Sequence, residues 1–241
     1  EHAAVLQPMA FLEEMGFRIT YLPVDKKGVA DLKALEDAIC DDTILVSMMY
    51  VNNELGTEEP VKEASRIIKE KNPKILFHVD AIQAYGKYKI QPKKLGIDLL
   101  SVSGHKIHGP KGSGFLYINE KTKIQPIILG GGQQKGMRSG TDNVPGIAGL
   151  GVAAKEAYQD FDEKIAHLKA LKQQFMNGLQ DIPDVFIQGQ SSENGGAPHI
   201  VSVSFQDVRS EVLLHALEEK QIYISSGSAC SSNKKLPVST V

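Results

Sequence analysis

There is no tryptophan anywhere in the 241 residues, and there are only two cysteines, Cys40 and Cys230. Two thiols so far apart do not build the disulfide framework of a small secreted domain; reduced, cytoplasmic surroundings fit better. Charge of one sign is lacking as well. Against 29 acidic side chains stand 27 basic ones, a formal net charge of −2, which gives no footprint for direct nucleic-acid or membrane binding. No run approaches the roughly 18 consecutive apolar residues of a membrane span. No G-x-G-x-x-G follows a strand and no G-x-x-x-x-G-K-[ST] occurs, which sets aside the ordinary nucleotide-binding domains. Glu1 and the closing Leu236-Pro237-Val238-Ser239-Thr240-Val241 do not read as natural termini, so a piece of a longer protein is expected.

What is present is alternation. Residues 43–50 (TILVSMMY), 75–79, 99–103 and 115–118 read as strands, separated by segments of helical period at 3–16, 31–39 and 61–71. Near-continuous apolar strands between helices predict an α/β fold, a mostly parallel sheet covered by helices. A long helix is expected over 145–178. Beyond it, 200–205 alternates with period two, 211–220 is a short amphipathic helix and 222–224 a brief strand. These predict part of a smaller α+β domain, with 188–198 as a surface loop inside it. The expected division is 1–155 and 156–241, joined by the long helix.

The chemistry gathers at strand ends, where ligands of such sheets sit. Lys106 follows one strand in Ser103-Gly104-His105-Lys106, and Asp80 closes another in Leu76-Phe77-His78-Val79-Asp80. A lysine and a carboxylate there suit the two ends of a pyridoxal phosphate ring, an amine for its aldehyde and an anion for its ring nitrogen. Read singly, Lys106 is a solvated surface lysine, and Asp80 with Gln83 is equally a helix cap. Asn53, in the turn Val51-Asn52-Asn53-Glu54-Leu55-Gly56, is a second candidate contact to the cofactor's phenolic oxygen, with a plain Asx turn as the competing account. His108-Gly109-Pro110-Lys111-Gly112-Ser113-Gly114 supplies glycines that allow backbone N–H groups close to a phosphate. Cys40 reads as a small core residue. Cys230 differs. It lies in Ser226-Gly227-Ser228-Ala229-Cys230-Ser231-Ser232-Asn233-Lys234-Lys235, and Lys234 and Lys235 favour the reactive thiolate of a mobile, exposed cysteine.

Seven strings, collinear from one end to the other, resemble the cysteine desulfurases of the class V aminotransferase group, fold type I enzymes that use pyridoxal phosphate. They are Glu1-His2-Ala3-Ala4-Val5, Val51-Asn52-Asn53-Glu54-Leu55-Gly56, His78-Val79-Asp80-Ala81-Ile82-Gln83, Ser101-Val102-Ser103-Gly104-His105-Lys106, Gly130-Gly131-Gly132-Gln133, Arg138-Ser139-Gly140-Thr141 and Ser226-Gly227-Ser228-Ala229-Cys230. The last resembles the subgroup that feeds iron–sulfur cluster assembly and tRNA thiolation. The resemblance implies that Lys106 holds the cofactor covalently and shuttles the proton at the substrate Cα. It implies that His2 stacks on the ring, Asp80 pairs with the ring nitrogen, and Gln83 and Asn53 lie near the phenolic oxygen. Ser103 and His105 would bind the phosphate, and Thr141 would reach the phosphate of the neighbouring subunit of a homodimer. Cys230 would attack the sulfur of L-cysteine, giving a persulfide and L-alanine, and pass the sulfur to an iron–sulfur scaffold or a tRNA thiolase. No resident metal is implied; Cys230 would meet an iron–sulfur cluster only in a partner complex.

Two features of the family are absent from these residues: a Gly-Ala-Thr phosphate loop and a C-terminal arginine for the substrate carboxylate. Arg138 and Arg209 do not match that arginine, so the isolated 241 residues are expected to be weak or inactive. The rival readings are a selenocysteine lyase or small-amino-acid aminotransferase, neither of which needs a loop thiol, and a truncated, non-catalytic docking module.

Overall fold

Four short strands order the larger part of the protein: β1 (Leu45–Met49), β2 (Leu76–Asp80), β3 (Leu99–Ser103) and β4 (Gly114–Ile118). The structure is a computed structural model that describes residues 1–190 and 195–227. The strands lie side by side in the order β1-β2-β3-β4. The first three are parallel, and β4 runs antiparallel to β3. An α/β fold with a mostly parallel sheet is thus what the alternation of apolar strands and helices produces.

Period-two alternation divides this sheet into two chemically different faces. Phe77 and Val79 are wholly buried, and Leu100 and Val102 nearly so, so one face is apolar throughout. The register sets Ser47 beside His78 and Asp80 beside Ser101, so the other face carries a polar row. Between β1 and β2 the chain forms α3 (Val61–Lys71), after α1 (Ala3–Glu14) and α2 (Leu32–Ala38). Val61, Ala64, Ser65 and Ile68 are its buried residues, the i, i+3, i+4, i+7 stripe of a helix lying on a core. Lys69 of α3 reaches Asp98 at 2.5 Å and the carbonyl oxygen of Ile75 at 2.7 Å. Asp98 in turn accepts the Phe77 N–H at 2.8 Å, so one carboxylate ties a helix to two strands.

The expected single helix over 145–178 is two. α4 (Val144–Tyr158) and α5 (Phe161–Leu179) are separated at Gln159, which is extended, and Asp160, whose φ of 49° is left-handed. No glycine or proline stands at this break, so nothing in the local composition announces it. α4 opens on Asn143, whose side chain accepts the Gly146 N–H at 3.1 Å, with Pro145 in the first turn, where it costs no hydrogen bond.

The chain divides into two compact units. One comprises 32–50 and 60–161 and contains the four-stranded sheet; the other comprises 1–31, 51–59 and 162–241. A boundary near 155 was expected, but 1–31 and 51–59 were assigned to the large domain. They associate with each other through Thr57 Oγ1 donating to Lys27 O at 2.5 Å and Ala30 N–H donating to Glu59 at 2.8 Å. Ala197 N–H donates to Gly56 O at 2.7 Å, which adds the later segment. In this unit β5 (Val185–Gln188) pairs antiparallel with β6 (Ser202–Phe205), followed by α6 (Ser210–Glu218). The sequence pointed to 222–224 as the second strand. Those residues form none; the four-residue run Val-Phe-Ile-Gln, too short to stand out beside its turn, takes the place next to β6 instead. Residues 191–194 of the expected 188–198 loop lie outside the described residues.

Candidate active site

Parallel pairing brings the carboxyl ends of β1, β2 and β3 to one edge of the sheet. Asp80 is the last residue of β2, 5% exposed, and stands in register with Ser101 of β3. Ser103 ends β3, and the next four residues, Gly104–Ile107, wind a 3-10 turn that carries His105 and Lys106. β4 begins opposite Ser103, so the whole glycine-rich segment 104–113 is confined to that same edge. Strands in a sheet lie ~4.8 Å apart. Asp80 and the turn that carries Lys106 therefore follow neighbouring strands at the same edge.

The surroundings of each group follow from this placement. Asp80 Oδ1 accepts the Ile82 N–H at 2.9 Å, and its carbonyl accepts the Tyr50 N–H at 2.8 Å. Among the described residues nothing donates to its Oδ2. No helix follows: 81–88 is a run of tight turns, with Ala84 and Tyr85 N–H both donating to Ala81 O. The helix-cap account of Asp80 and Gln83 is therefore replaced by an Asx-type turn, with Gln83 half-buried within it. Lys106 is exposed, and no acidic side chain pairs with it among the described residues. Ser103 Oγ and His105 Nδ1 are 2.7 Å apart, which draws two phosphate-binding candidates together. His108, just past the turn, has a φ of 64°, a left-handed conformation uncommon for a residue with a side chain.

Gly104 explains the tightness of the turn. A Cβ there would stand 2.6 Å from Ser113 Oγ and 3.0 Å from Leu150 Cδ1. Its N–H donates to Ser113 O at 2.8 Å, which closes the loop onto the start of β4.

The other candidates stand on other segments of the chain. Thr141 is exposed in the loop before α4, where Gly140 N–H donates to Gln133 Oε1 at 3.0 Å. His2 and Asn53 belong to the other unit. There His2 Nδ1 accepts the Ala4 N–H at 3.0 Å and caps α1. The Asx turn at 52–55 is made by Asn52, whose Oδ1 accepts the N–H groups of Glu54 and Leu55. Asn53 itself makes no side-chain hydrogen bond among the described residues. Cys230 lies outside the described residues. Cys40 is exposed rather than a core residue, with its Sγ 3.1 Å from Asp42 Oδ1; the polar Asp41-Asp42-Thr43 turn after α2 keeps it at the surface.

One participant escaped the sequence reading. His78 sits within β2, half-buried, its Nδ1 2.8 Å from Ser47 Oγ of β1 and its Nε2 2.8 Å from Ser101 Oγ of β3. Burial lowers its pKa from the ordinary imidazole value, and the Asp80 charge partly opposes this. A polar residue two positions before Asp80 in an otherwise apolar run was the signal that could have found it.

The residues present suit pyridoxal phosphate. A buried carboxylate with one oxygen already satisfied can hold a ring N–H, an unpaired lysine can bond an aldehyde, and a hydroxyl, an imidazole and a glycine-rich turn can take a phosphate. Among the described residues no three His, Cys, Asp or Glu side chains group as metal ligands, and no helix is long and apolar enough to cross a membrane.

A family model described as aminotransferase class-V matches residues 1–241. The chain is 47% identical over 237 residues to a cysteine desulfurase IscS of Methanosarcina thermophila, covering 98% of this chain and 58% of that protein. It is 46% identical to a mitosomal cysteine desulfurase of Trachipleistophora hominis, covering 96% and 53%. The solved structure of a NifS-like protein superimposes with a TM-score of 0.89 at 42% identity, over 94% of this chain and 61% of that one. The chain thus spans somewhat over half the length of the relatives it matches.

Proposed function

The chain belongs to the class-V aminotransferase family, whose members named here as cysteine desulfurases are pyridoxal phosphate enzymes, and from that premise we propose that the protein is an L-cysteine desulfurase. It removes sulfur from L-cysteine, releases L-alanine and carries the sulfur as a persulfide on Cys230. The observation that supports this reading is the parallel register of β2 and β3, which brings buried Asp80 and exposed Lys106 to one sheet edge.

When bound, the cofactor supplies an electron sink that makes the substrate Cα acidic. The chain's own residues do the rest. Asp80 holds the ring nitrogen's proton in a charge-assisted hydrogen bond, strong because the carboxylate is removed from water. Lys106 binds the cofactor and carries the proton at Cα. Ser103 and His105 hold the phosphate. Gln83 and Asn53 contact the phenolic oxygen, and His2 stacks on the ring. Thr141 serves the neighbouring subunit of a homodimer. Cys230, as thiolate, attacks the substrate sulfur: an S–S bond forms, the Cβ–S bond breaks, and its electron pair stays with the carbon skeleton that leaves as alanine. The persulfide then passes to an acceptor for iron–sulfur cluster assembly or tRNA thiolation, in the cytoplasm. Relatives named IscS support the iron–sulfur part of that assignment.

Borohydride reduction tests it. The intact parent protein incubated with pyridoxal phosphate gains a visible-edge absorbance that disappears on borohydride reduction, which fixes the cofactor on Lys106. A reducible band that survives in Lys106→Ala removes the lysine assignment. Cys230→Ser keeps the band and loses sulfide release from cysteine; undiminished release removes the persulfide route.

A further inference from the structure

Three strands of the sheet are stitched together by side chains at one place. The His78 ring lies between the hydroxyls of Ser47 and Ser101, 2.8 Å from each. A neutral imidazole offers one N–H and one lone pair. With a hydroxyl on either side, the chain of hydrogen bonds runs in one direction across β1, β2 and β3, whichever ring nitrogen carries the proton. Held at both nitrogens, the ring cannot turn without breaking both bonds. Asp80 follows two residues later on the same face of the same strand, in register with Ser101. Asp80 and Ser101 are thus each fixed with respect to this ring, one through the strand and the other through a hydrogen bond. Burial disfavours the charged ring, with the Asp80 charge partly opposing it.

We propose that His78 is a positioning residue for Asp80: tied to Ser47 and Ser101, it sets where the carboxylate stands at the sheet edge and hence how well the carboxylate holds a cofactor ring nitrogen. The inference rests on the desulfurase reading for the identity of the ring, and on the sheet alone for the tie. A buried histidine that served only packing would be satisfied by an aromatic or aliphatic side chain of its size. This one makes directed bonds at both ends, on the polar face that ends in Asp80.

The test has two readouts. In protein labelled with 15N and without added cofactor, the ring nitrogens of His78 show a neutral ring hydrogen-bonded at both ends, and Ser47→Ala or Ser101→Ala shifts the tautomer balance. In pyridoxal phosphate titrations, His78→Phe weakens binding by about tenfold, the scale on which supporting partners of ligand-binding groups act, and moves the absorption maximum of the bound cofactor. His78→Asn, which retains one hydroxyl contact, recovers part of both. Should His78→Phe not fold, His78→Asn and the two serine variants carry the measurement. Variants that bind with wild-type affinity and an unshifted absorption maximum, or ring nitrogens that respond to neither serine substitution, overturn the proposal. Intact parent protein that forms no reducible adduct overturns the functional reading and takes this one with it. Wild-type binding matched by every variant overturns this proposal alone.

Discussion

Glu59 is a buried carboxyl group whose chemistry departs far from its ordinary state. It is 8% exposed, and its carboxylate accepts the Ala30 N–H. Burial pushes its pKa from 4.5 up to about 7, against the stabilising pull of that hydrogen bond, while the Glu1 and Asp25 side chains add to the rise. The folded state therefore binds this proton more tightly than the unfolded chain does. Its contribution to stability is full below about pH 4.5 and is lost as pH rises through about 7. Thermal unfolding followed from pH 5 to 8 should show a falling midpoint. Glu59→Gln keeps an acceptor for Ala30 and should flatten that slope, gaining ~1–2 kcal/mol over the wild type at pH 8 after allowance for solvent screening. An unchanged slope would mean that Glu59 is already ionised at pH 5. At the same scale the site candidates differ in legibility. Asp80 and Lys106 stand out in the sequence because a charge at the end of an apolar run has no packing explanation. His78 does not, because a single histidine inside such a run looks like any half-buried polar residue.

The elements that carry the site depend on close backbone approach more than on side-chain chemistry. Gly104 begins the turn that presents Lys106, and a methyl group there would meet Ser113 and Leu150 inside contact distance. Gly104→Ala should therefore cost ~1–3 kcal/mol in urea unfolding and weaken cofactor uptake at the same time. Gly112→Ala, in the same loop with φ of 76° and open space around it, should cost only the ~1 kcal/mol of a left-handed alanine. Equal losses at the two positions would show that crowding is not what Gly104 avoids. The ion pair below the sheet is a second element-scale support. Lys69 and Asp98 retain 27% and 15% side-chain exposure, and Asp98 also caps the Phe77 N–H. Asp98→Ala leaves the Phe77 amide without its acceptor and Lys69 with the Ile75 carbonyl alone, and should cost ~2–4 kcal/mol, read from the denaturant midpoint at constant slope. The break between α4 and α5 was illegible in sequence for a related reason. A left-handed Asp160 is a tertiary decision, taken where Tyr158 stacks on Phe161 with ring centroids 5.4 Å apart, and neither Gln159 nor Asp160 forbids a continuous helix.

At the scale of the whole molecule, the sheet is what turns separate motifs into a candidate site. Three parallel strands with one apolar and one polar face send their carboxyl ends the same way, so residues distant in sequence share one edge without any direct bond between them. The sequence by itself determined the four strands of the larger sheet, its parallel class and the identity of the charged residues at its edge, because apolar periodicity and charge at strand ends are local properties. It also carried the resemblance that names the family. Only the tertiary structure decided which strand lies beside which, that β5 rather than 222–224 pairs with β6, that 1–31 joins 51–59, and that His78 finds a hydroxyl on either side. Those outcomes depend on register and on partners far along the chain, and no window of sequence contains both halves of a hydrogen bond between strands.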